Sequence, residues 1–170
     1  MIFNFSIIET YVIHWFGPYH GVDVKFLPEK SVIYLVTGLQ KSKKVITSEY
    51  IGITEQFVSS RFNDKTHKPK RINRKKEIWV GKLQNKRPLR SNLEIIESVL
   101  VYFWQPDLND KKKCRPPNDS TAILNLWHTI DDVLRKHKRH AAQKLHDFIY
   151  WDGELWHVSE RLKVYEDQDI

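Results

Sequence analysis

A single cysteine among 170 residues, Cys114, excludes an internal disulfide and any cysteine-rich zinc site. Its setting, Lys111 to Arg115, is basic, and no histidine stands nearby in the chain to act as its base. Cys114 therefore reads as a surface bystander. No apolar run is long enough to cross a bilayer, and Met1 to Phe5 lacks the basic start of a secretory signal, so the expected setting is cytoplasmic, without membrane contact. There is no internal repeat, P-loop or Gly-x-Gly-x-x-Gly, which leaves out repeat arrays and the commonest nucleotide cradles. His137, His140, His146 and His157 have no cysteine or carboxylate at metal-site spacing and read as structural or exposed. Against these absences, a hydrophobic fraction of 41%, an aromatic fraction of 12% and six tryptophans provide enough apolar surface for one ordinary domain to fold.

The net charge of +7 is unevenly spread. Between Gln40 and Arg90 there are 15 basic and four acidic side chains, a local +11, which leaves −4 for the remainder. A basic block of that size predicts a polyanionic partner. Lys65, His67, Lys68, Lys70, Arg71, Arg74, Lys75 and Lys76 are its candidate nucleic-acid contacts.

Local patterns suggest the elements. Ile7 to Phe16 fits a strand or a short helix equally. Ser31 to Thr37 and Val45 to Ile53 predict two strands of an antiparallel hairpin, and Ile78 to Leu83 a third. Thr54 is the expected N-cap of a helix from Glu55 to about Asn63, with Phe57, Val58 and Phe62 as its apolar face. Asp64 to Lys76 is nearly free of apolar residues and reads as an exposed loop or frayed helix end. Leu93, Ile96, Val99, Leu100 and Phe103 recur at helical spacing, so a helix capped by Ser91 or Asn92 should run to about Trp104 and stop at Pro106. Thr121 to His146 has a helix-like pattern that would cover the sheet, form a homodimer face or lie along DNA. Asp152-Gly153 predicts a tight type I′ turn between aromatic arms.

On that framework, Val32-Ile33-Tyr34 and Tyr50-Ile51-Gly52 precede Arg61, Glu97, Pro106 and Asn109. In this order and spacing the residues resemble the GIY-YIG endonuclease family over residues 31–109. The spacing of Glu97, Pro106 and Asn109 is the most specific part, while Val32 stands where glycine is usual. The resemblance implies an α+β fold, with a small, mainly antiparallel three-stranded sheet flanked by helices. It implies a nuclease core over 31–110, an N-terminal extension over 1–30 packing on it, and a C-terminal helix and hairpin extension over 111–170. It also implies a metal-dependent DNA endonuclease using Mg²⁺ or Mn²⁺.

The chemistry asks for the same residue types. Phosphodiester hydrolysis needs an activated water, a cation on the non-bridging oxygens and stabilisation of the departing alkoxide. Glu97 on a helix can hold one Mg²⁺, and Arg61 offers a permanently charged fork of donors to the phosphate. As the resemblance implies, Tyr34 is the candidate general base, Tyr50 orients the water or Tyr34, and Asn109 braces the site. Ile53 and Thr54 cannot serve as the auxiliary base found in some members, which leaves Lys65 or His67. The alternatives are a nucleic-acid-binding protein that keeps the fold without cleaving, and a protein-interaction role for the Trp-rich C-terminal part.

Overall fold

The computed structural model describes residues 8–41, 47–64, 66–135 and 145–159. In chain order the strands are β1 (Glu9–Tyr19), β2 (Val32–Gln40), β3 (Ser48–Thr54), β4 (Ile72–Leu83), β5 (Thr121–His128), β6 (Phe148–Trp151) and β7 (Trp156–Ser159). The helices are α1 (Val58–Asn63) and α2 (Arg90–Trp104), with 3-10 turns at Asp23–Phe26 and Lys68–Arg71. All seven strands form one sheet in the order β3-β2-β4-β1-β5-β6-β7. Every neighbouring pair is antiparallel except β1 and β5, which are parallel.

The expected three-stranded sheet flanked by helices is therefore corrected to a mixed seven-stranded sheet carrying two α-helices. Two segments make the difference. In β1, buried Tyr11, Ile13 and Trp15 alternate with half-buried neighbours, and the strand inserts between β4 and β5. At the start of the helix-like segment, Thr121, Ile123, Asn125 and Trp127 are buried at period two, while Ile130, Val133 and Leu134 are exposed. The period-two face buries the larger residues, so a strand forms. The rest of that segment, 136–144, falls outside the described residues, and with it His137 and His140.

Each sheet face has its own cluster. On one, Ile13, Trp15, Ile33, Leu35, Ile51 and Trp79 meet Leu93, Ile96, Val99 and Leu100 of α2. Side chains buried this fully contribute about 1.5–3 kcal/mol each for the aliphatic members. Buried Trp15 donates its indole N–H to Asn125 Oδ1 at 2.8 Å, and Asn125 Nδ2 donates to the His146 carbonyl at 2.8 Å, while the indole N–H groups of Trp79 and Trp127 on the same face have no partner among the described residues. On the other face, Val32, Tyr34, Val36, Ile78 and Val80 pack with Val24, Val58 and Leu108.

Several local details differ from the sequence patterns. Thr54 Oγ1 accepts from the Gln56 N–H at 3.2 Å, turning the chain ahead of α1, whose N-cap is Phe57. The N-cap of α2 is Leu89 and has no side-chain cap bond; the helix ends on Gln105 in the left-handed region, just before Pro106. β4 begins at Ile72, six residues before the expected third strand, because Asn73 to Glu77 continue the ladder with β2 despite their polarity. The C-terminal hairpin closes through residues 152–155 rather than a two-residue turn, with Asp152 Oδ1 accepting the backbone N–H groups of Glu154 and Leu155.

Candidate active site

The site gathers around β3, which ends the sheet. Tyr34 lies opposite Gly52 in the β2–β3 ladder, and Tyr50 lies opposite Val36 on the same face. A Cβ built on Gly52 would sit 2.5 Å from the Tyr34 hydroxyl and 2.7 Å from the Tyr50 ring. Only glycine leaves room for the two tyrosines at that point. Their ring centroids are 6.1 Å apart, and Phe62 of α1 meets Tyr34 edge-on at 5.3 Å.

His67 closes the cluster from below α1. Its Nε2 lies 2.8 Å from the Tyr34 hydroxyl, and its ring meets Tyr34, Tyr50 and Phe62 edge-on. Burial, together with the positive charge of Arg61, lowers its pKa to about 4, so the ring is neutral near pH 7. Tyr34 is fully buried, and burial raises its hydroxyl pKa well above the usual tyrosine value, opposed by the nearby Arg61 guanidinium. The phenol is therefore protonated. Its hydroxyl and His67 Nε2 share one hydrogen bond whose direction follows the imidazole tautomer, and His67 Nδ1 is buried without a partner among the described residues. Tyr50 is half-buried; burial raises its pKa first and the Glu97 charge second.

Arg61 stands on α1, with Nη1 3.3 Å from Asp64 Oδ2 and its side chain 36% exposed. Its Nε is buried without a hydrogen-bond partner among the described residues. The guanidinium thus acts on Tyr34 through its charge and is partly open to solvent.

Glu97 comes from α2 on the opposite layer. The helix buries Leu93, Ile96 and Leu100 against the sheet, which leaves Glu97 at the border of that stripe, its side chain 16% exposed. Lys112 Nζ contacts Glu97 Oε2 at 2.6 Å and lies 3.3 Å from the Glu94 carbonyl. Asn109 follows α2 and is 9% exposed. Its Oδ1 accepts from the Ile51 N–H at 2.9 Å and its Nδ2 donates to the Ile51 carbonyl at 2.7 Å. Asp107 Oδ1 accepts the Glu49 N–H at 2.6 Å, and Leu108 N–H donates to the Glu49 carbonyl at 3.1 Å. The turn after α2 thereby covers the free edge of β3.

Tyr34, Tyr50, Arg61 and His67 thus share one cluster, Glu97 lies close enough for its charge to act on Tyr50, and Asn109 holds the strand between the tyrosines. Of the expected nucleic-acid contacts, Lys65 falls outside the described residues. His67 faces inward, and Lys68 pairs with Asp110. Arg71, Arg74 and Lys75 are exposed, and Lys76 is half-buried. Sequence spacing gave no signal for Lys112, which lies fifteen residues beyond Glu97 on a loop.

A metal is implied by the resemblance. Among the described residues, no three His, Cys, Asp or Glu side chains converge as a metal-binding group. A single carboxylate completed by waters and a substrate phosphate is nevertheless a donor set that Mg²⁺ accepts, and Glu97 already carries a cation in the Lys112 ammonium. On that chemistry Glu97 fits. No family model, curated protein or solved structure matches this chain. Among the described residues no helix is long and apolar enough to cross a membrane.

Proposed function

We propose that this protein is a metal-dependent DNA endonuclease acting through the Tyr34, Tyr50, Arg61 and Glu97 constellation. The observation that carries the reading is convergence: Arg61, 27 residues beyond Tyr34, lies close enough for its charge to act on the buried phenol, His67 Nε2 stands 2.8 Å from the same hydroxyl, and the Glu97 charge reaches Tyr50 from another layer. Arg61 holds a substrate phosphate with the donors it does not spend on Asp64. Tyr50, the more accessible tyrosine, orients the attacking water. Tyr34 passes a proton between that water and His67, and the Arg61 charge offsets part of the cost of its phenolate. Glu97 holds the divalent ion, which when bound supplies charge neutralisation at the phosphate. Asn109 keeps β3, and with it Tyr50, in position.

The burial of Tyr34 and the Lys112 cation on Glu97 favour a second reading, a nucleic-acid-binding protein that does not cleave. Incubating plasmid and single-stranded DNA with Mg²⁺, Mn²⁺ or chelator decides between them. Glu97→Ala and Arg61→Ala should each abolish metal-dependent cleavage with the circular dichroism spectrum unchanged. Cleavage at the wild-type rate by either variant defeats the assignment, and binding without cleavage by the wild type moves it to the second reading.

A further inference from the structure

We propose that the cleft between the end of β1 and the start of β4, bounded by His20, Lys70, Lys75 and Lys76, is a phosphate-binding subsite for a nucleic-acid backbone phosphate distinct from the one at Arg61. The inference rests on the nucleic-acid reading above, but not on cleavage.

The cleft has a volume of about 670 Å³ and is lined by His20, Gly21, Lys70, Asn73, Lys75 and Lys76, among others, with no carboxylate. Three lysines, Lys70, Lys75 and Lys76, contribute to that lining. Among the described residues none of them pairs with an acid; Lys70 Nζ donates only to the Asn63 carbonyl, at 3.2 Å. Burial lowers the pKa of Lys76, and the charge of Lys70 lowers it further. A half-buried ammonium beside a like charge is costly without an anion to offset it. The neighbouring acid Asp23 is not part of the lining, and its Oδ2 accepts the His20 backbone N–H at 3.2 Å. His20 Nδ1 lies 3.2 Å from the Lys76 carbonyl, which fixes the ring at the rim.

The backbone is built to present these side chains. Between Thr37 and Leu39, and again between Leu39 and Gln40, β4 uses one more residue than β2 in the ladder. Lys75 sits in the left-handed region at φ 48°, and Gly38 opposite it has φ +148°. A Cβ on Gly38 would come within 2.9 Å of the Arg74 and Lys75 carbonyls, so the bulge needs glycine there. Bulges of this kind re-aim side chains beside functional sites. Without it, strand alternation would separate Lys75 and Lys76 onto opposite faces; with it, both line the same cleft. Lys70 lies three residues beyond His67, on the 3-10 turn that runs from the tyrosine cluster into β4, so one short stretch of chain serves both places.

The test uses the full chain in chelator, so that cleavage does not enter, with a short DNA duplex titrated at several salt concentrations. The slope of log affinity against log salt should fall by about 0.9 for each phosphate that the protein no longer neutralises. Lys70→Ala/Lys76→Ala should lower the slope accordingly and weaken binding several-fold, to the same degree for unrelated sequences, while Lys76→Arg stays close to wild type. Lys75→Ala, at an exposed position, carries the test should the double variant unfold. Wild-type slope and affinity in these variants overturn the subsite. Inorganic phosphate, followed through the His20 ring signals by NMR, separates the sources: perturbation without duplex binding means that the cleft takes free phosphate, which overturns the DNA-backbone assignment. A lowered slope in a chain that never cleaves leaves the subsite standing and removes the nuclease reading.

Discussion

At Gly52 the missing side chain is occupied space: the Tyr34 hydroxyl lies where its Cβ would be. Gly52→Ala should displace Tyr34 from His67 and Arg61, costing about 1–3 kcal/mol of stability as overpacking does. Cleavage should fall much further than stability, as seen by comparing urea midpoints with initial rates. His67 adds a pH dependence whose sign follows from its depressed pKa. The folded state resists protonating this ring, with pKa about 4, while the unfolded chain accepts a proton near 6.5. Its contribution is complete above about pH 6.5 and is lost as the pH falls towards 4. Urea midpoints of wild type and His67→Phe should therefore converge as the pH drops through that window; a constant gap would show that the ring titrates normally. The shared face of Tyr34 and Tyr50 was legible in the sequence, because the two strands that carry them were expected to pair as a hairpin. The inward turn of His67 was not, since it sits among lysines in an apparently solvated run, and only the 3-10 turn at Lys68–Arg71 and the aromatic pocket beneath α1 hold it under Tyr34.

At the level of elements, the turn after α2 behaves as an eighth, minimal strand. Asn109 gives Ile51 the donor and acceptor that a neighbouring strand would have given it. Asn109→Ala leaves both buried Ile51 groups unpaired, at about 1–3 kcal/mol for such a loss. Hydrogen exchange at the Ile51 amide should accelerate selectively while amides in β1 keep their protection; uniform acceleration would mean that the edge is held by other contacts. α2 and the β2–β3 hairpin were readable because α2 has a clear helical spacing ended by Pro106 and β2 is a continuous apolar run. β5 was not, because Ile123, Leu126, Trp127 and Ile130 satisfy a helical spacing almost as well as Thr121, Ile123, Asn125 and Trp127 satisfy alternation. Pairing with β1 decides between the two, and that information lies more than a hundred residues away in the chain.

For the whole molecule, the position of β1 dominates. Its residues Ile13 to Phe16 pair with Leu83 to Val80 on one side and Asn125 to His128 on the other, so the first described strand joins the two halves of the sheet. A fragment spanning 31–110 would expose Trp79 and the β4 edge that β1 covers. It should not unfold cooperatively, whereas the intact chain should lose helical ellipticity and tryptophan burial in a single coincident urea transition. A separately cooperative fragment would show that the seven strands contain an independent core. The topology was illegible because no local pattern in Ile7 to Phe16 distinguishes a central strand from a peripheral one; only the partners do.

The contact between Lys112 and Glu97 has a consequence of its own. A carboxylate set aside for a divalent ion is a liability whenever that ion is scarce, since a half-buried negative charge strains the layer that holds it. Here the chain brings its own counter-ion on a neighbouring loop, at 2.6 Å. Glu97 is therefore electrically paired as it stands, and under the proposed metal role loading would be an exchange of one cation for another rather than the filling of a gap.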